Sequence, residues 1–189
     1  METFKYGPSD IESGKLGQVT RLRFPEGPLG LTWKHSGITS DFIASIIAIR
    51  YRDARGHYNQ VRHDVGYLAN ELLENTIKFR APGDVILAVS VGNDTFRLTI
   101  SSKLDAANTV KFKSVLDVLG SEDPGDLLLK RIEANALSTD GAASGLGLLT
   151  LLSDYEATLE WIFDEDTGLG ATLTTHAAIA IPATQISRT

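Results

Sequence analysis

Glu71, Asn75 and Lys78 follow one another at steps of four and three within the stretch His63 to Phe79, HDVGYLANELLENTIKF. On a helix of 3.6 residues per turn, those steps put a carboxylate, an amide and an amine within about 60° of arc. Val65, Leu68, Leu72, Thr76 and Phe79 recur at the same steps and predict a buried stripe beside them. The polar trio therefore belongs at the border between core and water. An amide oxygen is a hard ligand suited to Mg²⁺, an amine neutralises phosphate, and a carboxylate accepts a proton. Read only as a surface element, the same helix gains about 0.3–0.5 kcal/mol from a Glu74–Lys78 pair and does no chemistry.

The second stretch of interest is Ala143-Ser144-Gly145-Leu146-Gly147-Leu148, inside a glycine loop over 141–148. Glycines at a helix start let backbone N–H groups approach an anion, and the helix dipole adds to the attraction. Ser144, Gly145, Leu146 and Gly147 are thus a candidate phosphate cradle. A lone Gly-Leu-Gly serves equally for close helix–sheet packing. Its pairing with the helix bearing Asn75 favours a ligand.

The elements that must position these residues are legible in outline. Residues 1–15 are polar and Gly-rich and read as a flexible arm. Residues 18–24 read as a strand, and 25–28 as a turn. Residues 29–33 form a short strand or an extended entry to the next helix. Thr39 or Ser40 is expected to cap a helix over 40–53, with 55–59 a connecting loop. The central helix spans 61–80 and is stopped by Ala81-Pro82-Gly83-Asp84. Strands are expected over 85–91 and 96–101, joined at Gly92-Asn93-Asp94 and central in a sheet. Helices follow over 106–119 and 125–137, then a small-residue loop and a helix over 145–153. Strands over 158–163 and 171–181 close a single domain, 16–182, with 183–189 a tail. The order predicts an α/β (α+β) two-layer sandwich, with helices on one face of a mixed, mostly antiparallel sheet.

Composition narrows the function. With 189 residues, 42% hydrophobic and 22% charged, the chain is long enough for one domain with a real core. A net charge of −6 with no basic run argues against nucleic acid. Cysteine is absent, which excludes disulfides, thiolate metal sites and a thiol nucleophile. The four histidines are scattered, without metal-ligand spacing. Apolar runs fall short of the ~20 residues a span requires, and the N-terminus lacks a leader pattern, so a cytoplasmic protein is expected. Trp33 and Trp161 read as core aromatics. Phe42, Ile43, Ile46, Ile47 and Ile49 make the 40–53 helix apolar over much of its circumference, which suits a homodimer contact.

Together these features resemble the GHKL superfamily, whose Bergerat fold binds ATP in gyrase, Hsp90, histidine kinases and MutL. The resemblance covers roughly residues 60–182. Asn70-Glu71-Leu72-Leu73-Glu74-Asn75 matches the family's Asn helix, and Ser144-Gly145-Leu146-Gly147-Leu148 matches its last glycine motif. It implies ATP and Mg²⁺ as cofactors, Asn75 as the metal ligand, and Lys78 with residues 144–147 as phosphate contacts. Glu71 then stands where family members keep a general base. The sequence departs from the family after its second hairpin strand. Ser102 stands where the adenine-binding Asp belongs, the glycines beside that Asp are missing, and Asp105 could replace it only if the loop folds back.

That mixture is similar to the SiaB-type bacterial protein kinases. The resemblance implies a partner-switching pathway in which Ser or Thr of a small protein partner is phosphorylated. The alternative is a degenerate GHKL domain that acts as a non-catalytic interaction scaffold.

Overall fold

In the computed structural model, residues 2–8, 19–27, 30–137, 145–166 and 170–183 are described. Among them lie six strands and five α-helices: β1 (Glu2–Tyr6), β2 (Val19–Phe24), α1 (Trp33–Ala48), α2 (Arg55–Phe79), β3 (Val85–Val91), β4 (Thr95–Leu104), α3 (Ala106–Leu119), α4 (Pro124–Leu137), α5 (Gly147–Ser153), β5 (Thr158–Asp166) and β6 (Gly170–Ala180). The strands form one open sheet in the order β1-β5-β6-β4-β3-β2, and each pairing is antiparallel. The expected two-layer α/β architecture is present, with β3 and β4 in the interior of the sheet.

Strand alternation decides where the core sits. Leu87 of β3, Phe96, Leu98 and Ile100 of β4, Phe163 of β5 and Ala177 of β6 are buried on the helix side. From the other layer, α2 contributes Val61, Val65, Leu68 and Leu72. The predicted stripe is thus the contact face of the helix. Thr76, its polar member, satisfies its hydroxyl within the helix by donating to Leu72 O at 2.8 Å.

Strand β4 runs on to Leu104, β5 to Asp166, and α5 starts at Gly147, each a shift of a few residues from the sequence reading, and three further differences are larger. The first is the arm, whose first residues form β1 and pair with β5. Tyr6 meets Phe163 edge-on at 5.9 Å between centroids, Lys113 Nζ lies 3.5 Å from the Phe4 ring centroid, and the Thr3 hydroxyl donates to Asp164 Oδ1 at 2.7 Å. A five-residue strand whose partner lies at the far end of the chain leaves no local signal. The rest of the arm, from residue 9, lies outside the described residues.

The second is α1, which starts at Trp33 with Thr32 as its N-cap and Thr32 N donating to His35 Nδ1 at 3.3 Å. Thr39 and Ser40 are buried inside it, and the Ser40 hydroxyl donates back to Gly37 O at 2.9 Å. Hydroxyl residues can bond a preceding carbonyl within a helix as readily as they cap one, which is why that cap was misplaced. The helix also ends earlier than expected, at Ala48, and a 3₁₀ turn follows over Ile49–Tyr51.

The third is α2. Its first turns include 55–59, expected as a loop, and Gly56 sits there without a steric demand.

Candidate functional site

A cavity of about 910 Å³ opens between α2, α3, α4 and the start of α5. Glu71, Glu74, Asn75 and Lys78 line it from α2, so the spacing of the polar trio does place its members together. Gly145, Leu146 and Gly147 line the same cavity from the far half of the chain. Ser144 lies outside the described residues. Helices α3 and α4 add an apolar wall, with Val115, Val118, Leu119 and Leu127, and the cations Lys111 and Arg131. The size and the mixture of apolar wall and few polar groups suit a small-molecule site.

Asn75 Nδ2 donates to the Glu71 carbonyl at 2.8 Å, one turn back along α2. That bond orients the amide and leaves Oδ1 as its acceptor. Asn70 Nδ2 donates to Glu74 Oε1 at 2.9 Å, so Glu74 is held from its own helix. The ammonium groups of Lys78 and Lys111 lie 5.4 Å and 6.0 Å from the Phe79 ring centroid. One buried ring therefore gathers cations from two helices at the cavity.

Glu71 is half-buried, and that burial, reinforced by Glu74, pushes its carboxyl above the usual range. Tyr67, on the same face one turn earlier, is also pushed up by burial, with Glu71, Asp154 and Glu74 adding to the rise and its bond to Thr150 opposing it. The electrostatic division is thus acidic at the N-terminal end of the α2 patch and basic at Lys78, Lys111 and Arg131.

The two glycines differ. Gly145 has φ +92° and open space where a side chain would point, so backbone conformation requires glycine. Gly147 is the first residue of α5, and a Cβ there would overlap the Glu71 carboxylate.

Ser102 does not line this cavity. It is buried on β4 and lines a small space of about 10 Å³ beneath α2, with room for about a single water. Asn75, Phe79 and Leu148 line both spaces, so the two adjoin. Asp105 does not fold back toward it. Asp105 is the N-cap of α3, and its carboxylate accepts from Asn108 N at 2.7 Å and Asn108 Nδ2 at 3.2 Å.

Trp33, expected in the core, is 56% exposed and lines the cavity, whereas Trp161 is buried. Lys111 and Arg131 carried no motif. The amphipathic pattern of α3 and α4 identified the helices but not the neighbour each polar face would meet. The histidines have structural surroundings: His35 at the α1 cap, His57 edge-on to Tyr51 at 6.4 Å, His63 stacked on Tyr155 at 6.3 Å, and His176 with Nδ1 3.0 Å from Thr99 Oγ1. Among the described residues, no group of three or more His, Asp or Glu is arranged to hold a metal, and no helix is long and apolar enough to cross a membrane.

No family model matches the chain, and none of the curated proteins does. Among solved structures, it is similar to a chain of the SiaB–SiaC complex from Pseudomonas aeruginosa, with a TM-score of 0.56 and 11% identity over 85% of this chain and 89% of that one. At that identity the likeness is one of fold.

Proposed function

We propose that the chain is an ATP- and Mg²⁺-dependent protein kinase of the GHKL type that phosphorylates Ser or Thr on a small partner protein in a bacterial signalling pathway. The observation that carries this reading is the cavity itself. Residues from two distant stretches, Glu71, Asn75 and Lys78 on α2 and Gly145 to Gly147 at α5, line one space. The donor set fits the cofactor. Asn75 Oδ1 gives one hard oxygen to Mg²⁺, which needs few protein ligands beside phosphate and water. Lys78, Lys111 and Arg131 would hold polyphosphate charge, and α3 and α4 present an apolar wall to the same cavity. Mg–ATP, when bound, supplies the phosphoryl group. Glu71 accepts the proton that the acceptor hydroxyl loses, a task suited to a carboxyl that burial raises above its ordinary range. Catalysis then rests on positioning and charge rather than on a covalent intermediate. The fold neighbour was solved as a two-protein complex, which supports a protein partner for this chain as well.

Calorimetric titration with ATP, with and without Mg²⁺, tests the reading. Micromolar Mg²⁺-dependent binding is expected, and Asn75→Ala should weaken it at least about tenfold, a loss of about 1.4 kcal/mol. Binding unaltered in Asn75→Ala would remove the metal assignment.

The small space at Ser102 favours a second reading, a non-catalytic scaffold on the same fold, because about 10 Å³ does not hold a purine. A folded wild type that gives no heat up to millimolar ATP would establish that alternative. On either reading we place a second copy of the chain on α1. Ile38, Phe42, Ile46 and Ile49 form an exposed apolar stripe, 45–71% accessible, beside a groove of about 530 Å³ between α1 and strands β2 and β3. A stripe next to a groove is self-complementary across a two-fold axis.

A further inference from the structure

The three atoms nearest to a Cβ built on Gly147 all belong to one side chain, Oε2, Cδ and Cγ of Glu71, with Cγ at 3.2 Å and the other two overlapping. Gly147 opens α5 and has no positive φ to explain its identity. Its neighbour Gly145 shows the opposite pattern, a left-handed φ and open space. Gly145 therefore makes the turn, and Gly147 makes room. A carboxylate from another helix fills that room.

We propose that Gly147 is a positioning residue for Glu71: its missing side chain is the seat that fixes the carboxylate on the cavity wall, one turn from Asn75. The inference rests on the reading of Glu71 as proton acceptor, and it replaces the phosphate-contact role that the glycine motif implies for Gly147. A glutamate has rotamer freedom to lose, and a general base works only at a fixed distance from its proton. The seat supplies that restraint and shields the carboxylate from water. The other titratable groups that line the cavity are Tyr67, Glu74 and Lys78 from α2, Lys111 from α3 and Arg131 from α4. Burial is the leading cause of the raised Glu71 pKa, so loss of the seat should show in its titration.

An alanine methyl at 147 would take the space of the carboxylate. The Glu71 side chain can swing into solvent, so Gly147→Ala should keep the fold and lose the restraint. The test is a ¹³C-carboxyl NMR titration of Glu71 in the full chain, wild type against Gly147→Ala, alongside Mg–ATP affinity and turnover read as phosphate release from Mg–ATP. The expected result is a lower Glu71 pKa in Gly147→Ala, turnover reduced about tenfold or more, and ATP affinity within about twofold of wild type. An unchanged Glu71 pKa overturns the proposal. Loss of ATP affinity with the Glu71 titration intact also overturns it and returns Gly147 to phosphate binding. If the wild type binds no ATP, the kinase reading fails, and the stability of Gly147→Ala against that of Glu71→Ala/Gly147→Ala decides the seat. If Gly147→Ala does not fold, Glu71→Ala/Gly147→Ala, which removes the colliding group, is expected to fold. A double variant as unstable as the single one overturns the proposal.

Discussion

Glu71 sits half-buried against a glycine and within the field of a second carboxylate, Glu74, and both effects disfavour its ionised form. The sign of the consequence follows from linkage. A carboxyl whose folded pKa lies above its unfolded value binds its proton more tightly when folded. Its stabilising contribution is full below the ordinary glutamate range and is lost as pH rises through the raised pKa. At pH 7 the ionised group opposes folding. Glu71→Gln is therefore expected to raise the melting temperature at pH 7 and to leave it nearly unchanged near pH 4. The rise should stay below about 4 °C, because solvent screens a half-exposed group. Scanning calorimetry at the two pH values checks it, and equal shifts at both would mean that Glu71 is not raised. The polar trio was readable because helical geometry alone fixes its arc. The Glu71–Gly147 contact was not readable, because nothing local to either residue refers to the other.

The helices divide the labour. Helix α2 supplies the acidic and amide groups, α3 and α4 supply the apolar wall and the cations, and α5 brings the glycines. Helix α3 is held at its start by Asp105, whose carboxylate bonds Asn108 N. That role separates two uses of one carboxylate. If Asp105 is only a cap, Asp105→Ala should cost about 1 kcal/mol of stability and leave nucleotide affinity unaltered. Urea denaturation paired with ATP titration would decide, and a parallel loss of affinity would show that α3 must be anchored for the site to form. The same element-level physics explains the missed boundaries. Capping residues stop or start a helix only when the backbone around them is free to leave it. Ser40 is inside α1 because burial of Ile43, Ala44 and Ile47 against α2 extends the helix in both directions from that contact.

Across the whole molecule, the sheet places the site and leaves one surface unexplained by the monomer. The order β1-β5-β6-β4-β3-β2 puts α2 over β4 and α3 over β4 and β6, so the cavity opens where the polar patch of α2 faces the apolar wall and Lys111 of α3. On the opposite side of α2, α1 packs with Ala44 beside Gly66 and leaves its apolar stripe outward. Ile46→Asp should convert a dimeric wild type to monomer in sedimentation velocity at micromolar concentration, with the circular dichroism spectrum retained. A wild type that already sediments as a monomer would remove the second copy. The amino-acid sequence settled what depends on short-range periodicity: the type of nearly every element, the buried stripe of α2, the interior place of β3 and β4, and the polar trio. Folding of the chain settled what depends on distant neighbours. It paired Glu2–Tyr6 with β5, turned Trp33, Lys111 and Arg131 toward the cavity, buried Ser102 beneath α2, and seated Glu71 on Gly147. Hydrophobic spacing marks the buried side of an element, but the element that covers it, and the residues that meet at its edge, depend on how the layers pack.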